Sequence, residues 1–295
     1  MLAVVREESQ DAVRLVDIAD PGHPTPIATL GGFGSATSAV ALSGDGKLLG
    51  VGDLVGEIRV YNLRDPNSAE VLTTTTITSG GPADNDRLGW ITGLAFDPTR
   101  SVLAAASLLY RTSMFNLSDP AHPVPLAQVE RHKEQVHSVL FSPDGQWLAS
   151  TDRVGTILLW DTRQLPVDPH SFAPVAQLNT QNRDIPVVDF SPDSRRLVSA
   201  VSAVSNRTIR VWDISHPRGP TQSLVVTGTA ADPGAVLFGP GGRTVLLAVA
   251  DPAIDVFAVD PESMAGELCR GGGEPITQAE WNQYLPDQPY QPPCR

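Results

Sequence analysis

The segment FSPDGQWLASTDRVGTILLWD, residues 141–161, decides the fold. It begins with an aromatic residue and a Pro-Asp-Gly turn, continues as a short apolar strand, turns again at an Arg-Val-Gly triplet and ends in a strand closed by Trp-Asp. Apolar, β-branched and aromatic runs between such turns are typical of short antiparallel strands. The segment therefore predicts several strands joined by tight turns.

Two features of this segment recur along the chain and indicate a repeat protein. The strand-closing pair returns at intervals of about 48 residues, at Val16-Asp17, Tyr61-Asn62, Phe115-Asn116, Trp160-Asp161, Trp212-Asp213 and Phe257-Ala258. The apolar residue before the first turn returns at Leu42, Phe96, Phe141, Phe190 and Phe238. Each repeat has room for four short antiparallel strands, which is typical of a β-propeller blade.

The repeat resembles that of a known family. Residues 141–161 look like a WD40 repeat almost throughout, residues 190–213 are a second good copy, and the other repeats are degenerate. The resemblance covers roughly residues 1–260 and implies an all-β, WD40-type β-propeller of about six to seven blades. It divides the chain into a propeller domain at 1–260 and a C-terminal tail at 261–295.

In well-formed WD40 repeats a His, a Ser or Thr, an Asp in the second turn and the Trp form a hydrogen-bonded network. The resemblance gives five residues structural roles, namely His132, Ser150, Trp160, Trp212 and Asp251. It places Val154 where the Asp is expected in the best repeat, and Asn206 there in the next. Several blades are therefore expected to depend on apolar packing instead of the network.

The first blade is predicted to be incomplete. Residues 2–5 and 13–16 resemble the second and third strands of a blade, and no innermost strand precedes them. Since a propeller leaves only short, protected edges, the chain is expected to be the C-terminal part of a longer protein. A non-standard closure with six blades is the alternative.

The tail is predicted to contain a short helix. Thr277 and Glu280 form a capping box, and Trp281, Tyr284 and Leu285 then fall on one helical face. Residues 268–294 resemble the closing segment of bacterial WD40 proteins, whose propellers often follow STAND-type NTPase or Ser/Thr kinase modules. The resemblance implies such an upstream module in the full-length protein, and the helix is expected to pack on the propeller.

Cys269 and Cys294, the only cysteines, flank the predicted helix. A disulfide between them would stabilise the tail by about 3.5 kcal/mol in the chain-entropy view. Two reduced thiols that pack as small apolar groups are the alternative, favoured by a cytosolic location. The sequence leaves both open.

Composition narrows the functional classes. With 33 acidic and 21 basic residues, a net charge of −12 and a pI near 4.8, the chain lacks the basic stripe expected of a nucleic-acid-binding surface. Its apolar runs are far shorter than a membrane span, and the start lacks the order of a secretory signal. We therefore expect a cytoplasmic protein with neither nucleic-acid binding nor membrane insertion.

The sequence holds no Walker A, GxSxG, HExxH or EF-hand motif. Its six histidines are scattered, and its glycine clusters do not lie between a strand and a helix. We expect no cofactor, no metal site and no enzymatic activity.

The predicted function is protein–protein interaction, as a scaffold or sensing domain. The loops between fourth and first strands and between second and third strands form one face of a propeller, called here the upper face. Its candidate partner-binding residues, aromatic or arginine as at many interface hot spots, are Trp90, Tyr110, Arg111, Arg153, Arg183 and Arg207.

Two other functions are compatible with the sequence. The central channel could bind a small molecule or substrate, with Asp189 as the one obvious carboxylate on an innermost strand, although a bracing role for Asp189 is favoured. Alternatively, the propeller could be an intramolecular lid that silences an upstream NTPase or kinase. The partner's identity and the closure of the ring are left open.

Overall fold

The computed structural model describes residues 2–6, 12–77, 89–165, 172–181, 184–201, 208–216, 218–227, 233–249, 254–260 and 277–279. Within these ranges, 22 strands form six antiparallel sheets in which each strand pairs with its sequence neighbour. No helix in this part of the chain is long and apolar enough to cross a membrane.

The first three sheets contain eleven strands. Sheet 1 comprises β1 (Leu2–Arg6), β2 (Val13–Asp17) and β3 (Thr25–Leu30). Sheet 2 comprises β4 (Thr37–Leu42), β5 (Leu48–Asp53), β6 (Glu57–Asn62) and β7 (Glu70–Thr76). Sheet 3 comprises β8 (Ile91–Phe96), β9 (Val102–Ser107), β10 (Arg111–Asn116) and β11 (Val124–Glu130).

The other eleven strands form the last three sheets. Sheet 4 comprises β12 (Val136–Phe141), β13 (Trp147–Asp152), β14 (Thr156–Asp161) and β15 (Ala176–Asn179). Sheet 5 comprises β16 (Val187–Phe190), β17 (Arg196–Val201), β18 (Thr208–Asp213) and β19 (Thr221–Thr227). Sheet 6 comprises β20 (Pro233–Phe238), β21 (Thr244–Val249) and β22 (Ile254–Ala258). Short 3-10 turns lie at Pro66–Ser68, Thr162–Gln164 and Pro240–Gly242.

The Ser-Pro-Asp-Gly turn joins the first two strands of sheet 4 for local reasons. The Ser142 hydroxyl donates to Asp144 Oδ1 at 2.6 Å and accepts from the Trp147 amide at 3.0 Å. Gly145 has a φ of +68°, which L side chains rarely adopt, and a Cβ there would lie 2.3 Å from Thr99 Oγ1. The turn therefore requires glycine at this position.

Consecutive sheets pack face to face. Five apolar clusters fill the spaces between sheets 1 and 2, 2 and 3, 3 and 4, 4 and 5, and 5 and 6. Between sheets 3 and 4, the Trp160 ring is fully buried and stacks on Phe172 with centroids 5.3 Å apart. Since burying one large apolar side chain contributes about 1.5–3 kcal/mol, these clusters are the main source of stability.

In the described part of the chain, sheet 1 has three strands. In three complete sheets, the third and fourth strands shift register just before the strand-closing residue, at Val60/Tyr61, Met114/Phe115 and Val211/Trp212. The pair β2–β3 shifts at the equivalent place, between Leu15 and Val16. The pair β1–β2 has no shift near its start, unlike the first pairs of sheets 2, 3 and 4. The strands of sheet 1 are therefore second, third and fourth strands.

One face of sheet 6 has no packed neighbour among the described residues. Leu237, Ile254 and Val256 on this face are 56%, 64% and 61% exposed. Their counterparts in sheet 4 include Ile157 and Leu159, which are fully buried against sheet 5. The face of sheet 6 therefore has the composition of a sheet–sheet interface without a packed neighbour in the described part of the chain.

Most of the tail lies outside the described residues, and so do Cys269, Cys294 and Asp251. In 261–295 the structure describes only residues 277–279, where Gln278 and Ala279 are helical and exposed. The helix, its packing on the propeller, the domain boundary and the thiol state stay predictions.

Candidate interaction face

Backbone hydrogen bonds join the loops of the upper face. The Leu108 amide donates to the Trp90 carbonyl at 3.0 Å, and the Arg153 amide donates to the Gln135 carbonyl at 3.2 Å. The same bond joins Leu54 to Ala36 at 3.1 Å in sheet 2. In each case a turn between second and third strands is fixed to the segment before a first strand. The two sets of loops therefore form one edge, as predicted.

Four of the six predicted partner-binding residues are described. Trp90 is 41% exposed and directly precedes β8. Tyr110 is half-buried, with a left-handed φ of +63°, and Arg153 is exposed at the next turn between second and third strands. Arg183 and Arg207 lie outside the described residues.

The Arg111 side chain is less exposed than the sequence analysis predicted. Its side chain is only 14% exposed, and its Nε donates to Glu130 Oε1 at 3.1 Å across the β10–β11 pair. An open groove of about 580 Å³ runs along β11 beside this ion pair. Arg111 therefore braces two strands, and less of it is available to a partner than the sequence suggested.

The upper ends of sheets 3 and 4 lie close together. Thr92 Oγ1 donates to the Val136 carbonyl at 2.9 Å, which joins the innermost strands β8 and β12. A Cβ on Gly93 would lie 3.0 Å from the Ser138 Cα, so only glycine allows this approach without a shift. Trp90, two residues before Thr92, is thus held beside the segment that precedes Val136.

A buried hydrogen-bonded network lies beneath this edge. Trp160 Nε1 donates to Ser150 Oγ at 2.9 Å, and Ser150 Oγ lies 2.7 Å from His132 Nε2. His132 Nδ1 lies 3.2 Å from Asp152 Oδ2. Because a carboxylate only accepts and an indole N–H only donates, Nδ1 carries the imidazole proton and the Ser150 hydroxyl donates to Nε2. All three predicted members therefore belong to one continuous chain of donors.

The expected Asp position was wrong. Asp152, not Val154, completes the network, and its Oδ1 also accepts from the amides of Val154 and Thr156 at 3.1 and 2.9 Å. Burial alone would raise the pKa of Asp152, but the hydrogen bonds from His132 and from these amides lower it below its usual value. Asp53 accepts from Val55 and Glu57 in the same way, so an Asp at the end of a second strand was the available signal.

The other sheets keep less of this network. Trp212 Nε1 donates to Ser199 Oγ at 3.3 Å in sheet 5. In sheet 3 the equivalent positions hold Ala105 and Phe115, both buried in an apolar cluster. Apolar packing therefore replaces the network there, as expected.

Asp189 braces two innermost strands. Its Oδ2 accepts from the Phe238 amide at 2.7 Å and so joins β16 to β20. Burial raises the pKa of this carboxyl group, although the amides of Phe238 and Phe190 oppose the shift. Within the described ranges, no group of three or more His, Cys, Asp or Glu side chains could hold a metal ion.

Comparison with known proteins gives the repeat its identity. Residues 123–161 and 172–213 match the family described as WD domain, G-beta repeat. The chain carries WD40 repeats in a β-propeller-like fold. Each match begins at or just before the fourth strand of one sheet, so the sequence repeat is offset by one strand from the sheets.

Three curated relatives are eukaryotic proteins. The chain is 35% identical over 83 residues to rat apoptotic protease-activating factor 1, covering 28% of the chain and 6% of that protein. It is 26% identical to the HIR1 protein of Candida albicans, over 74% of the chain and 22% of that protein. It is 25% identical to human coronin-7, over 89% of the chain and 28% of that protein. The chain thus spans less than a third of each relative.

A solved structure agrees with the fold. A chain in a crystal structure of the mitotic checkpoint complex superposes with a TM-score of 0.66, 17% identity and coverage of 85% of this chain and 69% of that one. At this identity the likeness shows the fold alone. The number of blades, and the kinship to WD40 proteins of the bacterial NTPase- or kinase-linked type, stay predictions.

The lower face, formed by the remaining loops, holds a contact that sequence reasoning missed. Arg100 of sheet 3 donates through Nε to the buried carboxylate of Asp97 at 2.9 Å. It also donates to the Gly145 carbonyl at 2.8 Å and to the Thr162 carbonyl at 2.9 Å, both in sheet 4. Arg100 therefore clamps two WD40 sheets together, and no local pattern marks it because its partners lie 45 and 62 residues away.

Proposed function

We propose that this chain is a non-catalytic scaffold that binds a protein partner through its upper face. WD40 repeats and a propeller-like fold support this function because rigid sheets hold loops in a fixed arrangement for recognition. The names of the curated relatives describe no enzyme chemistry. The central channel is the weaker candidate, since its one obvious carboxylate, Asp189, is engaged by the Phe238 amide.

Trp90 is the observation that carries the proposal. An exposed tryptophan is enriched at binding hot spots, where its large rigid surface costs little conformational entropy on association. Trp90 is fixed through its carbonyl to Leu108 and lies beside the fourth sheet, whose turn presents Arg153. A rigid aromatic side chain near a guanidinium group is a favourable anchor for a protein surface.

The test combines Trp90→Ala with Arg153→Ala. Arg153 is chosen in preference to Arg111 because Arg111 is held by Glu130 and its loss would disturb two strands. We expect the double variant to keep the wild-type melting temperature and to lose at least tenfold in affinity for a partner isolated on the wild-type chain. Lys47→Ala with Arg64→Ala on the lower face is the matched control. Equal affinity of wild type and the Trp90 variant would refute the choice of face.

We further propose that the chain is the sensing or docking part of a longer cytoplasmic signalling protein. The tail's resemblance to WD40 proteins that follow STAND-type NTPase or Ser/Thr kinase modules supports this role, and an intramolecular lid would use the same face. Expression with the in-frame upstream sequence tests it. We expect nucleotide hydrolysis or kinase activity that changes in the Trp90→Ala variant. An upstream sequence without such a module would refute this part of the proposal and leave the scaffold function standing.

A further inference from the structure

Among the described residues, the upper edge of sheets 3 and 4 is locally basic in an acidic protein. Four cationic side chains, called here the cationic rim, are Arg111, Arg131, Lys133 and Arg153. The carboxylates beside them are Glu130 and Glu134, while Asp152 is buried in the network. The lower edge of the same sheets has the opposite balance, with four carboxylates, Asp97, Asp119, Asp144 and Asp161, and two guanidinium groups, Arg100 and Arg163. Since the whole chain carries −12, this rim is an exception to its charge.

Two members of the rim keep their charge unneutralised. Arg153 Nη1 donates to the side-chain oxygen of Gln135 at 2.8 Å, and that amide is neutral. Lys133 is exposed two residues before Gln135. Within the described ranges neither side chain takes part in an ion pair, whereas Arg111 is paired with Glu130. In the described part of this edge, Lys133 and Arg153 are therefore available to meet an incoming anion.

The positive charge of Arg153 affects a histidine on the innermost strand β12. His137, half-buried on β12, has a lowered pKa because burial disfavours its charged form and because Arg153 adds a like charge nearby. The positive potential at this corner comes from Arg153 and its neighbours on the rim.

An apolar anchor adjoins these cations. Trp90 lies directly before β8, and β8 is joined to β12 through the Thr92–Val136 hydrogen bond. The segment from Lys133 to Gln135 leads into β12 as Trp90 leads into β8. Trp90 of sheet 3 and Lys133 of sheet 4 therefore lie in the segments that precede two adjacent innermost strands. Arg153, in the turn between β13 and β14, is hydrogen-bonded to Gln135 of the second of these segments.

We propose that the cationic rim binds an acidic peptide segment of a partner protein, with one large apolar side chain on Trp90 and carboxylates on Lys133 and Arg153. This inference rests on the proposed scaffold function and names the chemistry of its partner. A protein segment fits better than a nucleic acid because the rim is small and offers two cations, Lys133 and Arg153, beside one apolar anchor, Trp90. A nucleic-acid backbone is bound by a longer stripe of cationic side chains.

The test uses a fluorescein-labelled peptide with six glutamates around a central Leu-Phe pair, titrated with the full chain at low salt. Fluorescence anisotropy is the readout. We expect saturable binding that weakens steeply as NaCl is raised, because rim charges act over about a Debye length. Lys133→Glu with Arg153→Glu is expected to weaken binding at least tenfold. Trp90→Ala is expected to weaken binding without reducing its salt dependence.

The matched control is Lys47→Glu with Arg163→Glu, which makes the same charge change on the lower face. We expect this variant to bind the acidic peptide within twofold of wild type. Equal losses in both double variants would show a general charge effect and overturn the proposal. Binding of the lysine counterpart of the peptide, or of an oligothymidylate, as strong as that of the acidic peptide would also overturn it.

The two proposals fail separately. In the first case, an isolated partner binds the upper face in a Trp90-dependent way, but its affinity changes neither with NaCl concentration nor with the Lys133→Glu and Arg153→Glu substitutions. The acidic-segment inference is then wrong and the scaffold function stands. If Trp90→Ala with Arg153→Ala leaves partner affinity unchanged, the choice of face is wrong as well. Circular dichroism and melting temperatures of every variant separate loss of binding from loss of fold.

Discussion

His132 Nδ1 lies 3.2 Å from Asp152 Oδ2, and both side chains are almost completely withdrawn from solvent. The pair joins the segment before β12 to the end of β13, directly beneath the turn that carries Arg153. Since the network continues through Ser150 to Trp160, the position of the upper face in sheet 4 is coupled to the apolar core between sheets 3 and 4.

Asp152→Ala is predicted to be strongly destabilising. The change removes the acceptor of His132 and of two turn amides, and leaves all three donors without a partner. We expect the free energy of unfolding to fall by about 3 kcal/mol, measured by urea denaturation. Glu134→Ala, at a nearby position of the upper face, is the control and is expected to change stability by no more than about 0.5 kcal/mol.

The same carboxylate predicts a pH dependence. The pKa of Asp152 is lower in the folded chain than its ordinary 3.8, so its ionised form stabilises the fold above that value. This stabilisation is lost as the pH falls below 3.8 and through the folded pKa. We expect the stability difference between wild type and Asp152→Asn to shrink as the pH falls below about 4. A difference that grows on acidification would contradict the assigned role.

Sequence reasoning succeeded where the controlling interactions are local. The turn at residues 142–145 closes on itself through Ser142, Asp144 and Gly145, so its sequence alone specifies it. The strand-closing pairs predicted the repeat, because each pair ends a strand within its own segment. These features need no knowledge of distant residues.

The position of Asp152 and the contacts between residues far apart in the sequence were not predicted. Asp152 was missed because the network position was counted from the turn and placed on Val154, whereas the carboxylate that caps the turn belongs to the strand before it. Arg100 was missed because its acceptors lie in another sheet. The pairing of Arg111 with Glu130 was not predicted because it depends on the register of β10 and β11.

Substitutions of Asp189 distinguish the contribution of its charge to stability from that of its hydrogen bond to Phe238. Its raised pKa means that the folded chain holds the proton more tightly than the unfolded chain, so stability falls as the pH rises from 3.8 to the folded pKa. Asp189→Asn keeps an oxygen acceptor for the Phe238 amide and removes the buried charge. We expect this variant to equal or exceed wild-type stability at pH 7, and its advantage to disappear below pH 3.8.

Asp189→Ala is the companion measurement. It leaves the Phe238 amide without its acceptor and is expected to cost about 1–3 kcal/mol. If Asp189→Asn destabilises the chain as much as Asp189→Ala does, the carboxylate is required as a charge. A channel function for Asp189 would then regain support.

Arg100→Ala is predicted to loosen the contact between sheets 3 and 4 at the lower face. It leaves the buried Asp97 carboxylate without its guanidinium partner and removes the donors to Gly145 and Thr162. Breaking a pair with one buried member costs about 3 kcal/mol or more. Arg163→Ala is the control, because the Arg163 side chain is 55% exposed in its ion pair with Asp161 and lies within one sheet. It is expected to cost less than about 1 kcal/mol. Equal costs in chemical denaturation would show that Arg100 is not a clamp.

The exposed face of sheet 6 predicts that substitutions at equivalent positions of sheets 4 and 6 change the free energy of unfolding by different amounts. Leu159 and Val256 occupy the same place in their sheets, but Leu159 is fully buried and Val256 is 61% exposed. We expect Leu159→Ala to lower the free energy of unfolding by about 2–5 kcal/mol, and Val256→Thr to change it by no more than about 0.5 kcal/mol. Val256→Thr with Leu237→Ser should also reduce binding of a hydrophobic dye, because it removes a contiguous exposed apolar patch. A cost at Val256 close to that at Leu159 would mean that another surface covers this face in solution.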